Sequence, residues 1–173
     1  MIGQIKQFSK QILIKEVPVS DKYKKKGVFK DKTFEGECFI KAGEYVLNNK
    51  QLNNLILIHG TINANKERNI IYEHAWVEFT DNGIEVVFDG VDQKFYDKKD
   101  YYEKLDAMPD YVHNKKQYMK MFAKTLWLGK WYEPKRPVWD VTKPWEEFVK
   151  TYFPELINSE GEICENDIIA RFT

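Results

Sequence analysis

The sequence predicts an α+β fold, a helix packed on an antiparallel sheet, with further helices after the strands. Three observations predict it. Apolar residues at 38, 39, 42, 46 and 47 have the spacing of a helix with one buried face. Asn82-Gly83 stands between two strand-like runs, the signature of a tight hairpin. Helix-like segments then follow the strands instead of alternating with them, which is the α+β order.

Taken in order, residues 11–18 (Q-I-L-I-K-E-V-P) read as a short strand ended by Pro18. Residues 21–37 are Lys-rich, contain Gly27 and Gly36, and read as a loop. The helix at 38–47 comes next, and Gly43 weakens it by about 1 kcal/mol relative to Ala. Residues 55–62 (L-I-L-I-H-G-T-I) form a short, nearly continuous apolar run, as in a buried strand. A polar loop at 63–69 leads to hairpin strands at 70–80 and 84–89. Residues 97–105 read as a helix with Tyr101 and Tyr102. Residues 113–128 read as an amphipathic helix with Tyr118, Met121, Phe122 and Leu126 near one face, stopped by Gly129. Pro134 and Pro137 fall in a loop. Pro144 suits the first turn of a last helix carrying Trp145, Phe148, Val149 and Tyr152.

The 173 residues suffice for one domain with a real core, here a unit of about 34–95 and a helical extension of about 97–173. The 27 basic and 27 acidic residues cancel, so no global charge draws the chain to nucleic acid. Residues 1–32 nonetheless hold nine lysines against three acids, and 141–173 hold three basic residues against seven acids. These are read as solvated surfaces, with a basic arm for an anionic partner as the sharper alternative. No apolar run approaches the roughly 20 residues of a membrane span, and the N-terminus lacks a signal-peptide core. Two cysteines make no disulfide framework, so the expected setting is reducing and cytoplasmic.

The chemistry-bearing residues are Cys38, His74 and Asp89. A cysteine attacks as its thiolate, and its free pKa of about 8.5 must be lowered for work at neutral pH. A helix N-terminus and a neighbouring imidazolium both do this. Cys38 opens the predicted helix, whose free N–H groups also suit an oxyanion. If Asn82-Gly83 is the whole turn, facing residue numbers sum to 165, so Trp76 faces Asp89. His74, Trp76 and Asp89 then share a sheet face, and His74 and Asp89 are diagonal neighbours within side-chain reach. Asp92 falls on the other face; a one-residue register change would select it instead. In this arrangement His74 takes the Cys38 proton and Asp89 fixes the imidazole.

Other candidates carry less. His59 reads as a satisfied core histidine, and His113 as a capping or exposed residue at a helix start. Cys164 lies in an acidic tail that disfavours a thiolate. Cys38, His59 and His74 as a zinc set lack any supporting spacing. Trp127, Trp131, Trp139 and Trp145 read as a second packing layer, or alternatively a substrate surface.

Residues 73–78 (E-H-A-W-V-E) resemble the H-A-W-V-E strand of the transglutaminase-like branch of papain-like cysteine enzymes. Residues 36–42 (G-E-C-F-I-K-A) resemble its G-x-C-x-x-x-A helix start, and 86–89 (V-V-F-D) the strand ending in the third residue. The order Cys, His, Asp is shared. The resemblance spans about residues 34–92. It implies a papain-like α+β fold, with Cys38 as nucleophile, His74 as general base and acid, and Asp89 as orienting residue. The chain departs from the family's frequent D-P-T at Asp89-Gly90-Val91, and no oxyanion side chain upstream of Cys38 can be placed; Tyr23 and Phe34 match no motif.

The expected function is cysteine-dependent acyl transfer or hydrolysis at an amide through a thioester, most simply by a peptidase or amidase. The alternative is a binding module of the same fold with an inert site. The expected substrate is a protein, peptide or small amide, with no cofactor and no metal. The oligomeric state has no sequence signal.

Overall fold

The turn at Asn82-Gly83 organises the sheet. Both residues take positive φ, 49° and 80°, which a two-residue hairpin turn needs and Asn-Gly tolerates. Strand β2 (Ile70–Asp81) therefore folds directly onto β3 (Ile84–Asp89). Asp81 stands opposite Ile84 and Trp76 opposite Asp89, the register expected from the turn. On its other edge β2 pairs with β1 (Ile56–Asn65), which runs past the expected end at Ile62 because Asn63 and Asn65 still find partners in Ile71 and Ile70.

Two further strands complete an antiparallel sheet of order β4-β3-β2-β1-β5. Strand β4 (Lys94–Asp97) lies beside β3, and β5 (Met108–His113) lies beside β1. Neither is among the sequence expectations. The expected strand at 11–18 forms only one bridge, Glu16 to Tyr96, at the outer edge of β4. Two backbone hydrogen bonds hold it there: Val17 N–H donates to Phe95 O, and Asp97 N–H donates to Lys15 O, both at 2.9 Å.

Helices cover both faces. Helix α1 (Cys38–Asn48) buries Ala42, Tyr45 and Val46 against Leu57, Ala75, Val77 and Phe88. Helix α2 (Lys98–Leu105) lies on the opposite face, where Tyr101 and Leu105 meet Ile58, Trp76 and Val87. Helix α3 (Lys115–Thr125) returns to the α1 side through Tyr118 and Phe122. Full burial of each such side chain contributes about 1.5–3 kcal/mol. The start of α3 is set by a reciprocal cap. Gln117 N–H donates to Asn114 Oδ1 at 3.1 Å, and Asn114 N–H donates to Gln117 Oε1 at 2.8 Å. His113 is thus no cap: it ends β5 and is buried.

These features come from a computed structural model that describes residues 12–24, 28, 33–34, 36–125, 128, 130–131, 150–151 and 154–158. The helix expected from Pro144, the loop prolines Pro134 and Pro137, Gly129, Trp127, Trp139 and Cys164 lie outside them. No helix among the described residues is long and apolar enough to cross a membrane.

Candidate active site

The end of the hairpin brings strand β3 against the start of α1. The β2–β3 ladder stops at Trp76–Asp89, before reaching His74. Gly90 then passes hard against the helix. A Cβ there would lie 2.7 Å from Lys41 Cβ and 3.0 Å from the Ala42 nitrogen, so glycine permits an approach that a side chain would block. This gives a steric reason for glycine after Asp89, where the resembled pattern often has proline. The result is that Asp89, His74 and the first turn of α1 converge.

His74 and Asp89 are both buried, and His74 Nε2 lies 2.8 Å from Asp89 Oδ2. The imidazole donates, since an ionised carboxylate only accepts. Asp89 is held by two further donors: the Tyr101 hydroxyl at 2.7 Å on Oδ2 and the Val91 N–H at 2.8 Å on Oδ1. Burial alone would lower the His74 pKa. The Asp89 charge and hydrogen bond, helped by hydrogen-bond and charge interactions with the Cys38 thiol, raise it well above the ordinary imidazole range instead. Burial pushes Asp89 up, but the His74 charge and the hydrogen bonds from His74, Tyr101 and Val91 hold it below the usual carboxylate range. The buried pair is therefore an imidazolium beside a carboxylate.

Cys38 is the first residue of α1 and keeps 9% of its surface exposed, so it borders solvent, and it is near enough to His74 to help raise that residue's pKa. No side chain caps this helix end and its first turn carries no acid. Lys41 draws the Glu37 carboxylate to 3.5 Å and the Glu44 carboxylate to 2.9 Å. The positive end of the helix therefore faces the thiol without a capping carboxylate. With Nε2 committed to Asp89, the other ring nitrogen of His74 is left for Cys38.

Alternation explains the strand motif residue by residue. His74 and Trp76 face α2, and their rings stack at 6.2 Å between centroids. Ala75 and Val77 face α1 and are fully buried beneath it. Glu78 accepts from the Trp76 indole at 2.9 Å and pairs with Lys98 at 2.7 Å, with Tyr102 donating to it as well. Trp76 is thereby locked as a wall beside the imidazole.

Asp92 does not bond His74. It accepts from Tyr96 at 3.0 Å, and its pKa is raised by burial and then by the nearby Asp89 charge. Tyr101 was not expected as a site residue. It is fully buried, burial and the Asp89 charge raise its pKa, and it donates to Asp89 from α2. An aromatic at the first turn of a helix that follows the acid was its only sequence signal.

His59 departs from expectation. It is buried in the core, yet neither ring nitrogen has a hydrogen-bond partner among the described residues. It pairs with Ala75 across β1 and β2, so its ring lies on the face opposite His74. That separates it from a zinc set with Cys38 and His74; among the described residues no three His, Cys, Asp or Glu side chains cluster as a metal site. Tyr23 is core, stacked on Phe79 at 4.1 Å. Trp131 packs on Phe122 as part of the α1-side core. A concavity of about 580 Å³ lies by the β1–β2 turn among Ile12, Lys66 and Glu103, and none of Cys38, His74 or Asp89 lines it. No protein-family model, no curated protein and no solved structure matches the chain.

Proposed function

We propose that the chain is a papain-like, transglutaminase-like cysteine enzyme that forms a thioester on Cys38 from an amide. The observation that carries this reading is a buried chain of hydrogen bonds from Tyr101 to Asp89 to His74, with Cys38 beside the imidazole at the uncapped start of α1. A purely structural histidine has no need of a thiol on one side and a doubly supported carboxylate on the other.

In the proposed reaction the Cys38 proton already resides on His74, giving a thiolate beside the imidazolium, and the sulfur attacks the amide carbonyl carbon. The oxyanion that forms is held by N–H groups of the first turn of α1. The C–N bond breaks, His74 returns the proton to the departing amine, and the acyl group stays on sulfur. Water or a second amine then attacks the thioester, giving its proton to His74 and freeing Cys38. Asp89 keeps the imidazole oriented and stabilises its charge, and Tyr101 and Val91 hold Asp89 in turn.

An activated ester tests this directly. Incubation with p-nitrophenyl acetate should release p-nitrophenolate in a burst and leave one acetyl group on Cys38, seen by peptide mass spectrometry. Cys38→Ala should abolish the burst, and His74→Ala should slow it by about 100-fold or more, the size of a lost general base. Acetylation scattered over lysines, with none on Cys38, would end the reading.

A further inference from the structure

A second feature borders Phe39 and Glu73, the sequence neighbours of Cys38 and His74. His59 is 3% exposed and both its ring nitrogens lack hydrogen-bond partners among the described residues. Leaving such a group unsatisfied costs about 1–3 kcal/mol. The ring sits among aromatic faces: Phe39 at 4.8 Å, Trp131 at 4.9 Å and His113 at 5.6 Å between centroids. It borders a cavity of about 40 Å³, shared with Phe39, Gly60, Glu73, Asp110, Tyr111 and Lys130. Phe39 follows Cys38, Glu73 precedes His74, and Gly60 pairs with His74 across β1 and β2.

The cavity has a definite chemical character. One water needs about 10–15 Å³ of such space, so there is room for a group of two or three heavy atoms. Burial, followed by the effect of His113, holds the His59 imidazole neutral down to about pH 3. The burial that excludes a charge on His59 also disfavours a charged guest. Of the three charged residues at the cavity wall, Lys130 and Glu73 neutralise each other and Asp110 is exposed, so solvent screens its charge. A neutral imidazole offers one donor and one acceptor, and a primary carboxamide is an uncharged group of three heavy atoms that can meet either one.

We propose that the His59 cavity is a binding subsite for a small, uncharged hydrogen-bonding group of the carboxamide class. The binding site stands on its own geometry; its role as a substrate subsite rests on the Cys38 reading above. A substrate seated here would carry a carboxamide close to the carbonyl that Cys38 attacks. Phe39 and Trp131 form apolar walls around the polar contact, the usual construction of a small-ligand pocket.

The test uses the wild-type full chain labelled with ¹⁵N-histidine. The ring nitrogens of His59 are followed by NMR during separate titrations with acetamide, acetate and methylammonium at neutral pH. Acetamide should shift the His59 nitrogens saturably, while equal concentrations of the two ions leave them in place. No shift with acetamide, indicating an ordered water or an empty cavity, would overturn the proposal, as would a larger response to either ion. The readout is His59 itself, so it remains informative whether or not Cys38 is reactive. Acetamide binding with an inert Cys38 would keep the site and remove only its substrate role.

Discussion

At the residue scale the account rests on Cys38, at the predicted start of a helix, and on His74 and Asp89, which the hairpin count places on one sheet face. Strand alternation and a two-residue turn put His74 and Asp89 on one face, and their nitrogen and oxygen lie 2.8 Å apart. Tyr101 was not legible, because its contact with Asp89 depends on how α2 settles on the sheet, and no local spacing encodes that. Tyr101→Phe should cost about 1.5–3 kcal/mol, the range for a hydrogen bond to a charged group. It should also lower the rate of Cys38 acylation while leaving the far-UV circular dichroism unchanged; an unaltered acylation rate would make Tyr101 structural only. His59 was legible as buried but not as unsatisfied, since a sequence does not reveal which partners reach a core nitrogen. Its folded pKa of about 3 lies below the unfolded value of about 6.5. Between these values the unfolded chain binds a proton that the folded chain refuses, so stability falls as pH falls through that window. His59→Leu should therefore flatten part of the acid limb, read as urea midpoints at several pH values. A variant that loses stability equally at all pH values would contradict this.

At the element scale, the parts with strong periodicity or turn chemistry were readable and the short edge elements were not. Helix α1 and the β2–β3 register follow from apolar spacing and Asn82-Gly83. Strand β4 is only four residues long, and β5 contains Pro109 and leaves every residue except His113 exposed. Neither carries the alternation of a half-buried strand, so tertiary pairing decides them. Helix α3 starts at Lys115 and not at the expected residue 113, because Asn114 and Gln117 cap it reciprocally, a polar signal that apolar spacing does not carry. The junction of β3 and α1 is the element-level claim that matters most for the site. Gly90→Ala would put a carbon 2.7 Å from Lys41 Cβ, forcing strand end and helix start apart. The expected cost is about 1–3 kcal/mol, together with slower Cys38 acylation. Wild-type acylation in a destabilised Gly90→Ala protein would show that the close approach serves packing alone.

At the scale of the whole molecule, the sheet carries two cores, one beneath α1 and α3 and one beneath α2, and the candidate site sits where α1 meets the end of β3. The α+β class was legible from the order of elements. The packing of the C-terminal segments was not, because aromatic content alone does not say which face they cover. The buried ion pair couples this architecture to pH. His74 has a raised folded pKa, so its contribution is full below about pH 6.5 and is lost as pH rises through the folded value. Asp89 has a lowered one, so its contribution is present above about pH 3.9 and is lost as pH falls through the folded value. Asp89→Asn should cost about 3–5 kcal/mol in the middle range, with the gap to wild type narrowing at both ends; a pH-independent gap would contradict the ionised pair. The most direct test of the central claim, that the hairpin activates Cys38, is competitive alkylation. Native protein is treated with limiting iodoacetamide at about pH 6.5, well below the ordinary thiol range of about 8.5, and the labelled cysteine is mapped. Cys38 should react faster than Cys164, and His74→Ala should erase the difference; equally slow labelling of both thiols in the wild-type protein would contradict the account.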